Sequence, residues 1–457
     1  MSLSNQHIVI MGAGLVGSMH AIFLARRGYT VSVYEQLPDI RKEAISAGRS
    51  INLALANRGI DALDKLGLMD EVNKLLIPMQ GRMLHNEQGE LKFQSYGQKP
   101  EEVIYSVSRA GLVSLLRDAA EATGQVTFHF KHECLNIDFD HNRCQVHDKV
   151  KDEQLTVDYD YLIGADGGGS QVRASMQSLD ETEFTADILD HSYKELTIPA
   201  GPDGGFQLEK EALHIWPRGD YMMIGLPNPD ATFTLTLFMP NEGEVSFAAI
   251  NDHESLHQLF DTYFADAKPL IPDLETDYFN NPTGYLGTIR CADWQYANAV
   301  LTGDAAHAIV PFHGQGMNAG FEDCVAMERA LDEFHDDWHR AMPAFVESRM
   351  DNSNAIADMA LENYVEMRST VNDPKFHLKK AIAFELENRL PDYFIPRYSM
   401  VMFHLIPYAE AFVRGKIQYR ILDTLAEGIE TADAVDYARA ERLVKQKLPP
   451  LDMKKPA

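Results

Sequence analysis

Cysteine and tryptophan are scarce in this chain: four of the first and three of the second among 457 residues. Cys134, Cys144, Cys291 and Cys324 are scattered and form no CxxC pair. This excludes a disulfide scaffold or a thiolate zinc module and predicts free, buried thiols. Cations are also in deficit, with 41 Lys plus Arg against 68 Asp plus Glu and a formal charge of −27. Such a balance argues against nucleic acid or an anionic membrane as the main partner. Small anionic ligands stay within reach, because they need only a few local cations. No apolar run reaches the length of a membrane span. The opening MSLSNQHIVIMGAG has neither the charged head nor the cleavage site of a signal peptide, so a cytoplasmic location is expected. The Pro-rich segment KQKLPPLDMKKPA is expected to fray. The chain is long enough for two or three domains with a sizeable core.

What is present begins with glycine. HIVIMGAG reads as a buried strand that breaks at Gly12, and Gly14 and Gly17 complete GxGxxG. LVGSMHAIFLARRG continues with helical spacing, and TVSVYE is a second strand ending at Glu35. This strand–turn–helix–strand order is the context a dinucleotide fingerprint requires. Gly12 permits the tight turn, Gly14 admits a diphosphate to the backbone, and Gly17 lets the helix lie on the sheet. The helix N-terminus then offers free N–H groups to the anion. Glu35 is placed to accept hydrogen bonds from an adenosine ribose and would repel a 2′-phosphate. FAD and NAD both remain open at this point.

Two further turns carry acids beside glycines. DYLIGADGGGSQVR runs from Asp160 to Arg173 and puts Asp166 at the end of an apolar strand. NAVLTGDAAH runs from Asn298 to His307 and does the same with Asp304. A lone NAD domain has no use for both, whereas an extended dinucleotide crossing several strand ends does. Asp304 and His307 lack the further ligands of a zinc site and the serine or cysteine of a nucleophile elbow. His307 reads as a packing residue. After PFHGQG comes the helical pattern MNAGFEDCVAMERALDEF. Its N-terminus is suited to negative charge on a bound ligand, and Gly314 and Gly316 let the backbone approach that ligand without a side chain in the way.

GAGLVG, GADGGGSQVR and GDAAH in this order resemble the single-component flavin aromatic hydroxylases, the group typified by para-hydroxybenzoate hydroxylase. The resemblance implies FAD as cofactor, with Asp304 on its ribitol or ribose side and Asp166 near the diphosphate and the NADPH path. It places Arg109, in YSVSRAGL, at the FAD phosphates. Leu15, Arg49, Leu55, Met317 and Asn318 are implied as further flavin contacts.

GRSINLALANRG, LHIWPRGDYMMIGLPN, TLTLFMP, VPFHGQGMN, MALENYVEM and FIPRYSMV sharpen the likeness. Together they resemble the kynurenine 3-monooxygenases over nearly the whole chain. The implied reaction is hydroxylation of L-kynurenine to 3-hydroxy-L-kynurenine with NADPH and O2, through a flavin C4a-hydroperoxide. By the same resemblance Arg82, Tyr96 and Tyr398 hold the substrate carboxylate. Asn363 contacts the amino-acid end, with Met367 one turn on, and Phe238, Pro311, Phe312 and His313 border the ring. No acid–base residue is assigned, because the flavin does the chemistry, and no metal is implied. A flavin hydroxylase of another aromatic acid and a dinucleotide-binding protein without turnover stand as alternatives. A flavin amino-acid oxidase fits less well, since its pattern lacks the Asp-Gly element.

The expected fold is α/β. A Rossmann-like FAD-binding domain over 1–75, 100–180 and 285–345 is interrupted by an antiparallel-sheet substrate domain over 76–99 and 181–284. A helical C-terminal region follows over 346–457. LHIWP, YMMIGLP and ATFTLTLFM alternate with the period of strands. A homodimer is left open.

Overall fold

The computed structural model describes residues 6–43, 52–179, 183–368 and 373–452. The chain forms two compact units. The first comprises Met1–Leu76, Val107–Leu189 and Leu286–Ala357, and the second Ile77–Ser106, Asp190–Tyr285 and Asp358–Ala457.

The first unit is built on a six-stranded sheet. Its order is Gln295–Tyr296, Ala299–Leu301, Tyr161–Gly164, His7–Met11, Thr30–Glu35 and Val126–Phe130. The last five strands are parallel. Continuous apolar runs explain this: Ile8, Val9 and Ile10 have no exposed surface, nor do Leu162 and Ile163, as expected for strands covered on both faces. Helices Leu15–Arg27, Arg109–Glu121 and Gly316–Glu333 belong to this unit, with a separate three-stranded antiparallel sheet. All three glycine turns lie at the C-terminal ends of parallel strands, where open α/β sheets bind ligands.

In the second unit the strands run in the order Phe184–Ile198 (its part from Asp190 on), Phe233–Pro240, Tyr221–Pro227, Ala212–Arg218, Gly81–His85 and Leu91–Ser95. All pairs are antiparallel except Ala212–Arg218 with Gly81–His85. Period-2 alternation divides the residues between two faces. Trp216, Met223, Leu235 and Leu237 pack with Phe260 and Phe264 in one core. The register pairs Ile215 with Leu84 and Ile224, and Ile224 with Thr236. Arg82 and Phe238, each two residues from a member of this row, therefore share the opposite face. The C-terminal helices Pro374–Arg389, Tyr408–Leu425 and Tyr437–Lys447 close over their own core of Ile382, Leu386, Phe394, Ile421 and Val444. Among the described residues no helix is long and apolar enough to cross a membrane.

Candidate active site

The three glycine turns converge within the first unit. Gly12 takes φ +97°, and a Cβ there would stand 2.3 Å from the carbonyl oxygen of Ala165, in the second turn. At Gly17 a Cβ would stand 2.0 Å from the Gly12 carbonyl oxygen. Both positions admit glycine alone. The third turn joins through Arg173, which donates to the carbonyls of Gly168 at 2.5 Å and Ala305 at 2.7 Å. Thr302 N–H reaches the Gly164 carbonyl at 3.0 Å. Val16 of the first helix abuts Gly303 and Gly320 so closely that a Cβ at Gly320 would meet it at 2.5 Å.

Each acid of these turns has a definite place. The Glu35 carboxylate accepts from Ala13 N–H at 3.0 Å and Leu37 N–H at 2.9 Å, which leaves lone pairs for a further donor. Asp166 accepts from Gln171 and Val172 N–H through Oδ2 and so ties down the helix start Gln171–Gln177. Its Oδ1 is buried without a hydrogen-bond partner, and burial raises its pKa. Asp304 is exposed at the start of the short helix Asp304–His307. Leu15 and Leu55 are buried and Arg109 is exposed at a helix start, while Arg49 lies outside the described residues.

The last segment of the cradle is the turn Pro311–His313, Gly314 at φ +66°, and the helix Gly316–Glu333. Asn318 is fully buried and clasps it. Its side chain donates to the carbonyls of Ala54 and Gly314 and accepts from Ala56 N–H at 2.9 Å. Phe312, His313 and Met317 are buried nearby in sequence, and Pro311 is exposed.

A chain of buried charges underlies this segment. Asp323 Oδ2 accepts from Gly303 N–H at 2.9 Å and bonds His307 Nε2 at 2.6 Å, and its Oδ1 accepts from Arg349 Nε at 2.8 Å. Glu322 pairs with Arg349 at 2.6 Å and with Arg58. Burial would raise the Asp323 pKa, but His307 and Arg349 hold it well below the usual carboxylate range. His307 is thus a structural residue, packed 4.9 Å from the Trp294 ring. Sequence reasoning missed Asp323, Arg349 and Arg117. Among the described residues no group of His, Cys, Asp or Glu is arranged to hold a metal ion.

The second unit holds the other candidate residues. Arg82 is 7% exposed on the strand Gly81–His85 and pairs with Glu366 at 3.2 Å. Its guanidinium lies 5.7 Å from the Tyr96 ring centre and 5.3 Å from that of Tyr398. The two tyrosine rings stack at 5.5 Å. Arg82 Nε and the Tyr96 hydroxyl are buried without a hydrogen-bond partner. Burial opposes the charge of Arg82, yet Tyr398, Glu366 and Tyr96 keep its pKa above the ordinary arginine value. Lys380 donates to the Ser95 carbonyl at 2.7 Å. Burial, and then Arg82, bring its amine down to about 8, against the pull of Glu366. Asn363 and Met367 are both buried on the helix Trp338–Arg368, with Asn363 Nδ2 3.4 Å from the sulfur. Phe238 is buried opposite Tyr193.

Residues 5–341 match the FAD binding domain family. The kynurenine 3-monooxygenase of Myxococcus xanthus (strain DK1622) is 46% identical over 444 residues, 97% of this chain and 96% of that protein. The chain belongs to the kynurenine 3-monooxygenase family. The enzyme of that name from Legionella pneumophila (strain Corby) is 42% identical over 440 residues, covering 96% of this chain and 97% of its own. The solved structure of the tetrameric form of 2-methyl-3-hydroxypyridine-5-carboxylic acid oxygenase shares the fold. It matches with a TM-score of 0.64 at 19% identity, over 81% of this chain and 94% of its own.

The cradle fits the FAD of this family. A Cβ at Gly14 or at Gly167 would meet nothing within 4 Å, so the backbone there is open to a ligand. The helices Leu15–Arg27 and Gly316–Glu333 begin with no side-chain cap and no acid in the first turn, leaving their N–H groups for an anion. Asp166 Oδ1 and the exposed Asp304 leave carboxylate oxygens unengaged at the ends of the second and third turns.

Proposed function

We propose that this chain hydroxylates L-kynurenine at the ring carbon beside the amino group, giving 3-hydroxy-L-kynurenine, with NADPH and O2 consumed. FAD, reduced by NADPH, supplies the activation of O2. The work of the chain is then positioning, water exclusion and electrostatics. The aniline nitrogen already enriches the carbon to be attacked, so no strong base is required.

The observation that carries the substrate reading is Arg82. A buried guanidinium beside two tyrosines that stack on each other is suited to one planar carboxylate, which accepts two parallel charge-assisted bonds. Tyr96 and Tyr398 flank that anion as neutral phenol donors, the ordinary state of tyrosine at pH 7, and burial raises the pKa of both further. Asn363 contacts the amino-acid end and Met367 lines the same helix face. Phe238, Pro311, Phe312 and His313 border the aromatic ring. Gly12, Gly14, Leu15, Gly17, Glu35, Arg49, Leu55, Arg109, Asp166, Asp304, Gly314, Gly316, Met317 and Asn318 hold the FAD. Of these, the first turn of Gly316–Glu333 supports the reading most directly, since its free N–H groups favour negative charge on the reduced ring.

The experiment is a substrate panel on the purified yellow protein. NADPH oxidation should rise with L-kynurenine, with 3-hydroxykynurenine as product, and should not rise with 4-hydroxybenzoate. Hydroxylated product from another aromatic acid, and none from kynurenine, would refute the substrate assignment. A colourless protein that takes up no FAD would refute the whole reading.

A further inference from the structure

We propose that Arg117 is a positioning residue for the cofactor: it fixes the Ala13–Gly14 peptide so that the Gly14 N–H faces the FAD diphosphate. This rests on the reading that the first glycine turn holds that diphosphate. Arg117 projects from the helix Arg109–Glu121 and is 4% exposed. Its Nε and Nη2 both donate to the Ala13 carbonyl, at 3.0 and 2.8 Å. A trans peptide is planar, so its N–H points opposite to its C=O. Pinning the Ala13 carbonyl toward Arg117 therefore aims the Gly14 N–H the other way. The Gly14 Cα is itself uncrowded, since a Cβ built on it meets nothing within 4 Å, so a ligand can approach the backbone there.

The preceding peptide is fixed in the same manner by the opposite charge. Ala13 N–H donates to Glu35 at 3.0 Å, and the Gly12 carbonyl is thereby turned toward Gly17. One acid and one base thus act on two successive peptide planes of the turn, the second also held by a longer bond from Ser18 Oγ to the Ala13 carbonyl at 3.2 Å. A charged donor on the carbonyl also polarises the peptide and strengthens its N–H as a donor.

Arg117 is poorly placed to bind the diphosphate itself. Two of its nitrogens are spent on Ala13, and the third, Nη1, lies 3.5 Å from the Asp39 carboxylate, which would repel an anion. The Phe130 ring, 4.8 Å away, holds the guanidinium plane in place. The guanidinium acts through the backbone.

The test compares wild-type protein with Arg117→Lys and Arg117→Met, each labelled with 15N-glycine. FAD affinity is read from quenching of flavin fluorescence, and the Gly14 amide resonance is followed through the titration. In wild-type protein the Gly14 amide should move downfield as FAD binds. Arg117→Met should raise the FAD Kd tenfold or more and lose most of that movement. Arg117→Lys, which keeps the charge and one donor, should recover part of both. If Arg117→Met keeps the wild-type Kd within twofold and the wild-type Gly14 shift, the proposal is overturned. Should Arg117→Met fail to fold by circular dichroism, Arg117→Lys decides alone: an unchanged Gly14 shift overturns the proposal and a diminished one supports it. Wild-type protein that binds FAD without moving the Gly14 amide removes the proposal and leaves the FAD assignment intact. No FAD binding by wild-type protein removes both.

Discussion

Asp323→Asn is nearly isosteric, yet the structure predicts a large loss. Every partner of this carboxylate is a donor: Arg349 Nε on one oxygen, and Gly303 N–H, Thr302 Oγ1 and the His307 ring on the other. An asparagine offers one acceptor and one donor. If its oxygen faces Gly303, its NH2 confronts the Arg349 N–H, and half the neutralisation of that fully buried guanidinium is gone. If its oxygen faces Arg349, Gly303 N–H is left buried and unpaired. Breaking a buried ion pair from one side costs roughly 3–5 kcal/mol, and domains hold only about 5–15 in total. For a unit of this size that corresponds to a fall in Tm of roughly 6–20 °C. Thermal unfolding of the FAD-free protein, followed by circular dichroism, measures it. Because Asp323 holds Gly303 and the Asp304 turn, FAD affinity should fall along with stability. A Tm within 2 °C of wild type would show that the buried charges are not what holds the turn.

Arg82→Met removes two charge-assisted bonds to a substrate carboxylate, each worth about 1.5–3 kcal/mol. The KM for kynurenine should rise by roughly 100-fold or more with FAD retained, and steady-state kinetics on the yellow variant decides it. Gly17→Ala drives a Cβ to 2.0 Å from the Gly12 carbonyl oxygen, so the helix must move off the sheet. FAD retention on gel filtration should be lost, and a fully flavinated Gly17→Ala protein would contradict the tight-turn geometry. Burial lowers the His20 and His214 pKa values to about 4 each. The unfolded chain, with histidine near 6.5, then binds more protons than the native one between about pH 6.5 and 4, so stability falls as pH drops through that window. Each residue contributes about 3 kcal/mol to the fall, and His214→Gln should flatten the urea-denaturation profile of the second unit between pH 7 and 4.5.

The glycine turns and the parallel strands were readable because their geometry demands particular residues. Gly12 and Gly17 have no tolerated substitute, and runs such as HIVIM are what a doubly covered strand requires. Strand alternation in ATFTLTLFM likewise marked the antiparallel sheet, with Leu235 and Leu237 on one face and Phe238 on the other. Arg82 was not readable locally: QGRMLH looks like a surface strand, and its burial comes from Tyr96, Tyr398 and Glu366, all distant in sequence. The buried charges were missed for a different reason, since charge on a helix normally means solvent. A signal did exist. Asp323 lies four residues from both Ala319 and Met327, and Arg117 four from Val113 and three from Ala120, which puts each on the apolar stripe of its helix. A charge at such a position needs a buried partner.

Those partners share a logic. A turn that offers N–H groups to an anion must turn its carbonyls away, and carbonyls turned into the protein need donors there. Three arginines, all at most 5% exposed, meet that need. Arg117 takes the Ala13 carbonyl, Arg173 those of Gly168 and Ala305, and Arg349 that of Ala319 at 3.3 Å. Arginine suits this task better than lysine, because its planar fork can place two donors on one oxygen or reach two oxygens in fixed directions. An acidic chain with 41 basic residues thus places three of its cations behind the glycine turns and the helix that follows them, where they orient the backbone that meets the cofactor.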